Sequence, residues 1–203
     1  LTANADPDLV VADLYTIEYA WFVDVFGRLA MPAHMRYAFF IEGGTLGVEN
    51  ALKTAFDWKV RRNRAKGIAG VKGQQVLHFR QAFHGRSGYA LSLTNTDPVK
   101  TDFFPKFPWP RVSSPGLRFP VTPEVERAVL AAEQQSLDEI DKAFADNPDD
   151  IAAILIEPIQ AEGGDVHFRP EFLRALQGKA RQHEALFVLD EVITFRSEVG
   201  GLQ

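Results

Sequence analysis

Asp190 ends an unbroken apolar run, Ala185-Leu186-Phe187-Val188-Leu189, and Glu191-Val192 follow it. A short solid apolar run is the pattern of a strand buried on both faces of a parallel sheet. Open α/β sheets bind ligands beyond the carboxyl ends of their strands, so Asp190 is a site candidate as well as an ordinary cap for the next element. Three further stretches hold chemistry-bearing residues. Glu42-Gly43-Gly44-Thr45 separates a short apolar run from a long helical pattern. Glycines there let backbone N–H groups approach an anion, and a helix N-terminus adds positive potential. No Walker lysine-serine and no GxGxxG is present, which disfavours a nucleotide loop; a glycine pair at such a junction also serves as a plain turn. Phe83-His84-Gly85-Arg86-Ser87-Gly88 supplies a ring, an imidazole and a guanidinium. Phe83 can stack on a flat ligand and Arg86 can grip a carboxylate, or the two can be a buried ring and a solvated cation. His84 has no partner histidine or carboxylate at metal-ligand spacing, so no metal is expected. Glu157 closes the apolar run 151–156, and Glu162 follows in Gln160-Ala161-Glu162-Gly163-Gly164-Asp165. Two acids beyond a strand end can act as an acid/base pair, although Glu162 taken alone reads first as a loop acid.

The elements that must position these groups follow from periodicity. Tyr15, Tyr19, Phe22, Val23, Phe26 and Leu29 recur at helical spacing, an amphipathic helix whose aromatic stripe reads as core. Residues 37–41 predict a short strand, and residues 46–66 a long helix. Residues 75–79, 151–156 and 185–192 predict further strands. Helices are expected over about 122–145, with Pro123 in the first turn, and over 169–183. Residues 95–123, rich in proline and aromatics, are too apolar for a disordered linker and predict an ordered, irregular excursion packed on a surface. The order β-α-β-loop-α-β-α-β implies an α/β fold with a parallel sheet.

The chain has 203 residues, 46% hydrophobic and 24% charged, which is globular and enough for one substantial core. Its net charge of −5 gives no nucleic-acid footprint. The basic run 59–66 reads as the solvated end of a helix. Cysteine is absent, which removes disulfides and thiolate chemistry and accords with a cytoplasmic location. No apolar run is long enough to span a bilayer. The sequence begins without methionine and stops a few residues after an apolar run, in Gly200-Gly201-Leu202-Gln203, so a fragment of a larger protein is expected.

Taken together, these motifs resemble those of the class III (subgroup II) pyridoxal phosphate-dependent aminotransferases of fold type I. The matching stretches are Phe39-Phe40-Ile41-Glu42-Gly43-Gly44, Glu49-Asn50-Ala51-Leu52-Lys53, Phe83-His84-Gly85-Arg86-Ser87, Glu157 to Asp165 and Asp190-Glu191-Val192, in the family's order. Within the family, Phe56-Asp57-Trp58-Lys59, the run from His84 to Thr96 and Phe104-Pro105-Lys106-Phe107 look most like the L-lysine 6-aminotransferases. The resemblance implies an N-terminal segment and helix over 1–36. It also implies a partial large domain over 37–203, a partial, mostly parallel sheet with helices on both faces.

It implies pyridoxal 5'-phosphate as cofactor, with Gly44 and Thr45 binding the phosphate through backbone amides. Phe83 and Val192 would take the two ring faces, and Asp190 would pair with the pyridine nitrogen. His84 and Ile193 would be among the cofactor contacts, and Glu157 would support the site from behind. Ile193 stands where the family often has glutamine contacting the ring hydroxyl, a bond isoleucine cannot donate. Arg86 would hold the substrate's α-carboxylate. Glu162 would be a switch acid, covering a second arginine when L-lysine binds and moving away for 2-oxoglutarate. The whole protein would transfer the terminal amino group of L-lysine to 2-oxoglutarate as a homodimer, giving 2-aminoadipate 6-semialdehyde and glutamate. Another ω-amino donor, a glutamate-1-semialdehyde aminomutase-like reaction, or a non-catalytic short chain that binds cofactor or a full-length partner are the alternatives. The Schiff-base lysine is expected outside the chain, because none of its lysines follows an apolar run into the site. Without it the chain alone is expected to be inactive.

Overall fold

The computed structural model describes residues 15–195. The expected polar tail over 1–13 and the closing stretch from Arg196 to Gln203 lie outside the described residues. The central element is β3 (Ile151–Ile156), whose six residues are all buried. An Ile-Ala-Ala-Ile-Leu-Ile strand has no polar face, so it is stable only with cover on both sides. β1 (Gln75–Phe79) flanks it on one side and β6 (Leu186–Leu189) on the other, both parallel to it. β2 (Arg111–Val112) extends the sheet beyond β1, giving the order β2-β1-β3-β6.

Helices cover both faces. On one, α2 (Gly44–Ala65) and α3 (Gly88–Leu93) set Val48, Leu52, Ala90 and Leu93 against Val76, Ala153 and Leu155. On the other, α5 (Pro123–Asp146) and α6 (Pro170–Gln182) set Ile140, Phe144, Phe172 and Leu176 against Leu77, Phe79, Ile154 and Ile156. The helix starts follow their capping signals: Thr122 Oγ1 accepts the Val125 N–H at 3.3 Å, and Pro123 and Pro170 stand in first turns. The expected α/β architecture with two-sided cover is therefore present. So is the ordered excursion: Phe107 and Trp109 stack at 4.9 Å, and Trp109 meets Phe56 of α2 at 5.7 Å.

Several expectations fail. Residues 37–41 form no strand; among the described residues their backbone pairs with no neighbour, and Tyr37 and Phe39 are 92% and 74% exposed. Only Phe40 is sheltered, its ring 5.2 Å from that of Phe26 on α1 (Ile17–Leu29). A strand needs a paired edge, and an apolar run whose ring docks on a helix has no use for one. The aromatic stripe of α1 is not core either, since no residue of that helix is buried. Its rings contact Phe40, and Phe26 reaches Phe195 at 6.0 Å, but no second layer covers the helix among the described residues. β6 is half-buried rather than buried on both faces, because it is the outer strand of the described sheet. β2, α4 (Pro98–Thr101) and the antiparallel hairpin β4 (Ile159–Gln160) with β5 (Val166–His167) were not expected. Elements of two to four residues carry too little pattern to read. No helix among the described residues is long and apolar enough to cross a membrane.

Lys59 ties α2 to the far end of the sheet. It is 2% exposed, and its Nζ donates to the carbonyls of His183 and Glu184 at 3.1 and 2.8 Å, just past the end of α6. A cation there satisfies carbonyls that no backbone N–H reaches. Lys59→Met should therefore lower the urea stability by about 1–3 kcal/mol through two unsatisfied acceptors. An unchanged midpoint would mean that water replaces the ammonium without cost.

Candidate functional site

The carboxyl ends of β1, β3 and β6 come together, and each delivers one group. After β1 the chain turns sharply: the Gln81 N–H donates to Asn95 Oδ1 at 2.6 Å, and Asn95 Nδ2 donates to the Phe79 carbonyl at 3.1 Å. This brings Phe83, His84 and Gly85 over the sheet end. The His84 N–H donates to Thr94 Oγ1 at 2.9 Å, and that hydroxyl donates to the Gly85 carbonyl at 2.7 Å. Gly85 has φ 113°, and a Cβ on it would lie 2.3 Å from Thr45 Oγ1, so only glycine lets this loop touch the start of α2. After β3, Glu157 Oε2 accepts the Phe83 N–H at 3.0 Å. After β6, the Asp190 N–H continues the sheet register to the Ile156 carbonyl at 2.9 Å. The Asp190 side chain bridges two segments. Its Oδ2 lies 2.8 Å from His84 Nδ1, and its Oδ1 accepts the Val192 N–H at 3.2 Å.

These groups surround a cavity of about 320 Å³. Gly44, Thr45, Phe83 and His84 line it, and so do Glu157, Glu162, Asp190, Val192 and Ile193. Every candidate residue read from the sequence is thus in one wall, with one exception. Arg86 is exposed beyond the Gly85 turn and does not line the cavity, although its charge reaches Glu162. Ile159 and Ala161 also line it and carried no sequence signal beyond their motif. Thr96 and Lys100, which hydrogen-bond Glu162, were missed as well. Their signal was Asp97-Pro98, a cap and first-turn proline: Asp97 Oδ1 accepts the Val99 N–H at 3.0 Å and opens α4.

Electrostatics distinguish the acids. Burial pushes the Glu157 carboxyl up to about 7, against the pull of His84 and the Phe83 N–H, with Asp190 and Glu162 adding repulsion. Glu162 moves the other way. Burial pushes it up, but the hydrogen bonds from Lys100 and Thr96 outweigh that and hold it below the usual carboxylate range. His84 is buried, and its Nε2 has no hydrogen-bond partner among the described residues.

The wall suits a flat, anionic ligand. α2 is 22 residues long, begins at Gly44 on the cavity, and has neither a side-chain cap at Gly43 nor an acid in its first turn. Its first amides are therefore open to an anion, and the helix dipole favours one. Asp190 offers a carboxylate to a cationic nitrogen, and Phe83 offers an aromatic face. A volume of about 300 Å³ is at the small end for cofactor-sized sites. Among the described residues, no group of three or more histidines and acids could hold a metal ion.

An open parallel sheet with this arrangement at its strand ends is matched by one sequence family: the profile described as aminotransferase class-III covers residues 14–201, and the chain belongs to that family. Among curated relatives, the L-lysine-epsilon aminotransferase of Mycobacterium tuberculosis is 50% identical over 184 residues, which is 90% of this chain and 40% of that protein. The L-lysine-epsilon aminotransferase of Amycolatopsis lactamdurans is 51% identical over 180 residues, 89% of this chain and 40% of that protein. The 4-aminobutyrate aminotransferase of Schizosaccharomyces pombe is 32% identical, over 84% of this chain and 39% of its own length. The crystallised lysine aminotransferase from M. tuberculosis in the internal aldimine form superposes with a TM-score of 0.83 at 49% identity, over 88% of this chain and 40% of that one. The chain thus spans about 40% of the length of the relatives it matches.

The state of Glu157 gives a pH test. Between its ordinary value of 4.5 and about 7, the folded chain holds a proton on Glu157 that the unfolded chain has lost. The stability linked to this group is fully present below about 4.5 and falls as pH rises through about 7, by up to about 3 kcal/mol. Glu157→Gln should flatten that decline, read as urea midpoints at about pH 5 and about pH 8. A variant that keeps the parent's decline would assign the slope to another group.

Proposed function

We propose that the protein of which this chain is part is a pyridoxal phosphate-dependent aminotransferase that moves the terminal amino group of L-lysine to 2-oxoglutarate. The observation carrying the reading is the convergence of an uncapped α2 N-terminus and the His84-backed Asp190 carboxylate on one cavity. The choice of L-lysine leans on relatives near 50% identity named for that reaction, against 32% for a 4-aminobutyrate enzyme. Pyridoxal phosphate, when bound, supplies an electron sink for the carbon that carries the amino group.

The chain's residues have separate tasks in this reading. The amides of Gly44 and Thr45 hold the phosphate. Asp190, fixed by His84 Nδ1 and the Val192 N–H, keeps a proton on the ring nitrogen. Phe83 and Val192 flank the ring, with Ile193 and the His84 imidazole completing the wall. Glu157 holds the Phe83 backbone and so fixes the stacking ring. Arg86 binds the α-carboxylate of L-lysine, which presents the distal amine to the cofactor. Glu162, at the rim, responds to whether the incoming substrate has a second carboxylate. Among the described residues no lysine lines the cavity, so a covalent lysine would come from chain beyond these residues and the 203-residue chain by itself would not transaminate. The reading also includes a homodimer, an N-terminal segment over 1–36, a partial cofactor domain over 37–203 and a cytoplasmic setting.

In protein of the family's full length, Asp190→Ala should reduce transamination about a hundredfold or more. Activity close to the parent's would overturn the role of Asp190. A panel of L-lysine, L-ornithine and 4-aminobutyrate with 2-oxoglutarate as acceptor should give the highest kcat/KM for L-lysine; a higher value for another donor would reassign the substrate. Arg86→Met should raise KM about tenfold for both substrates while leaving kcat within about threefold. An unchanged KM would place the carboxylate elsewhere.

A further inference from the structure

Glu162 is not left to solvent at the cavity rim. Its Oε1 accepts the Thr96 hydroxyl at 2.8 Å and also the Lys100 ammonium. Thr96 stands just before the Asp97 cap and Lys100 within α4, so the cap and the short helix bring both donors to a single oxygen. The Lys100 ammonium also lies 5.6 Å from the centroid of the ring of Phe83, a residue that lines the cavity. The Lys100 and Glu162 side chains are 34% and 36% exposed. An ordinary ion pair so exposed contributes little. This one differs in having a neutral donor on the same oxygen and an acceptor residue that lines a ligand cavity.

We propose that Thr96 and Lys100 form a seat for the Glu162 carboxylate, and that Lys100 is a positioning residue governing how readily a substrate with a second carboxylate enters. The inference rests on the proposed role of Glu162. While Glu162 is seated, the rim carries a neutralised pair. Without Lys100 it carries a bare carboxylate, which repels 2-oxoglutarate, a dianion, far more than L-lysine, whose two ammonium groups outnumber its one carboxylate. Among the described residues, Arg86 is another cation whose charge reaches Glu162, and it is assigned to the α-carboxylate that both substrates share. A disturbance passing through Arg86 would therefore affect both substrates alike.

The test uses full-length protein carrying Lys100→Met, Lys100→Arg or Thr96→Val. Lys100→Met should raise KM for 2-oxoglutarate about tenfold and leave KM for L-lysine within about twofold, with Lys100→Arg restoring the parent values. Thr96→Val should give the same split at smaller size and serves where Lys100→Met does not fold. A second readout is the ¹³C titration of the Glu162 carboxyl, assigned by its loss in Glu162→Gln, whose midpoint should rise in Lys100→Met. Two unchanged KM values, a parallel rise in both, or an unchanged midpoint would each overturn the seat. If the parent protein shows no transamination, the proposed function fails, and the carboxyl titration alone decides whether the seat exists.

Discussion

Asp190 is a carboxylate in a place where water scarcely reaches, and His84 is what makes that tolerable. A buried acid without a donor would take up a proton or pull the strand end open. The 2.8 Å contact with His84 Nδ1 meets this need. It also joins two segments more than a hundred residues apart, as the separation of 106 between the partners records. The rest of the site hangs from this joint: His84 is set by Thr94, Thr94 holds Gly85, and Gly85 lies against Thr45 at the head of α2. Strand end, loop and helix start are thus closed into one ring of contacts.

The sheet makes that ring possible. β3 fixes β1 and β6 in parallel register, so their carboxyl ends fall side by side and the residues after them share one cavity. The helices on both faces bury β3 completely, up to the strand end from which Glu157 projects. Glu157 shows the result: placed one residue past the most buried strand, it is pushed up to about 7 although a histidine and an amide favour its charge. Glu162, only five residues on, is held low by a cation and a hydroxyl at the rim.

Much of this was readable in the amino-acid order, and the reasons differ by element. The span 151–156 is a solid apolar run and 75–79 a mixed one in which Val76, Leu77 and Phe79 are apolar, and both strands form as expected. α2, α5 and α6 have periodic faces, the last two with a proline in the first turn, and fall close to their expected bounds. Gly44, Phe83, Glu157 and Asp190 could be grouped before any coordinates because each follows an apolar run or opens a helix. Residues 37–41 misled because hydrophobicity says that a segment seeks cover, not which partner supplies it. The same holds for α1, whose stripe promises a layer that the described residues do not contain. Arg86 follows Gly85, whose φ is 113°, and is exposed outside the cavity lining. The Thr96–Lys100 pair depends on where a four-residue helix comes to rest, which is set by tertiary packing.

The bare first turn of α2 ties ligand chemistry to conformational stability. A helix whose N-terminal amides no side chain satisfies stabilises any anion it meets, and is stabilised in return. The effect grows as RT ln(1 + [L]/Kd), so roughly 2.7 kcal/mol is gained at an anion concentration a hundred times its dissociation constant. Phosphate or sulfate in a buffer would then act as a rival of any phosphorylated ligand and as a thermal stabiliser at once. With the phosphate seat proposed for Gly44 and Thr45, the melting temperature would be set by the protein and its salt together.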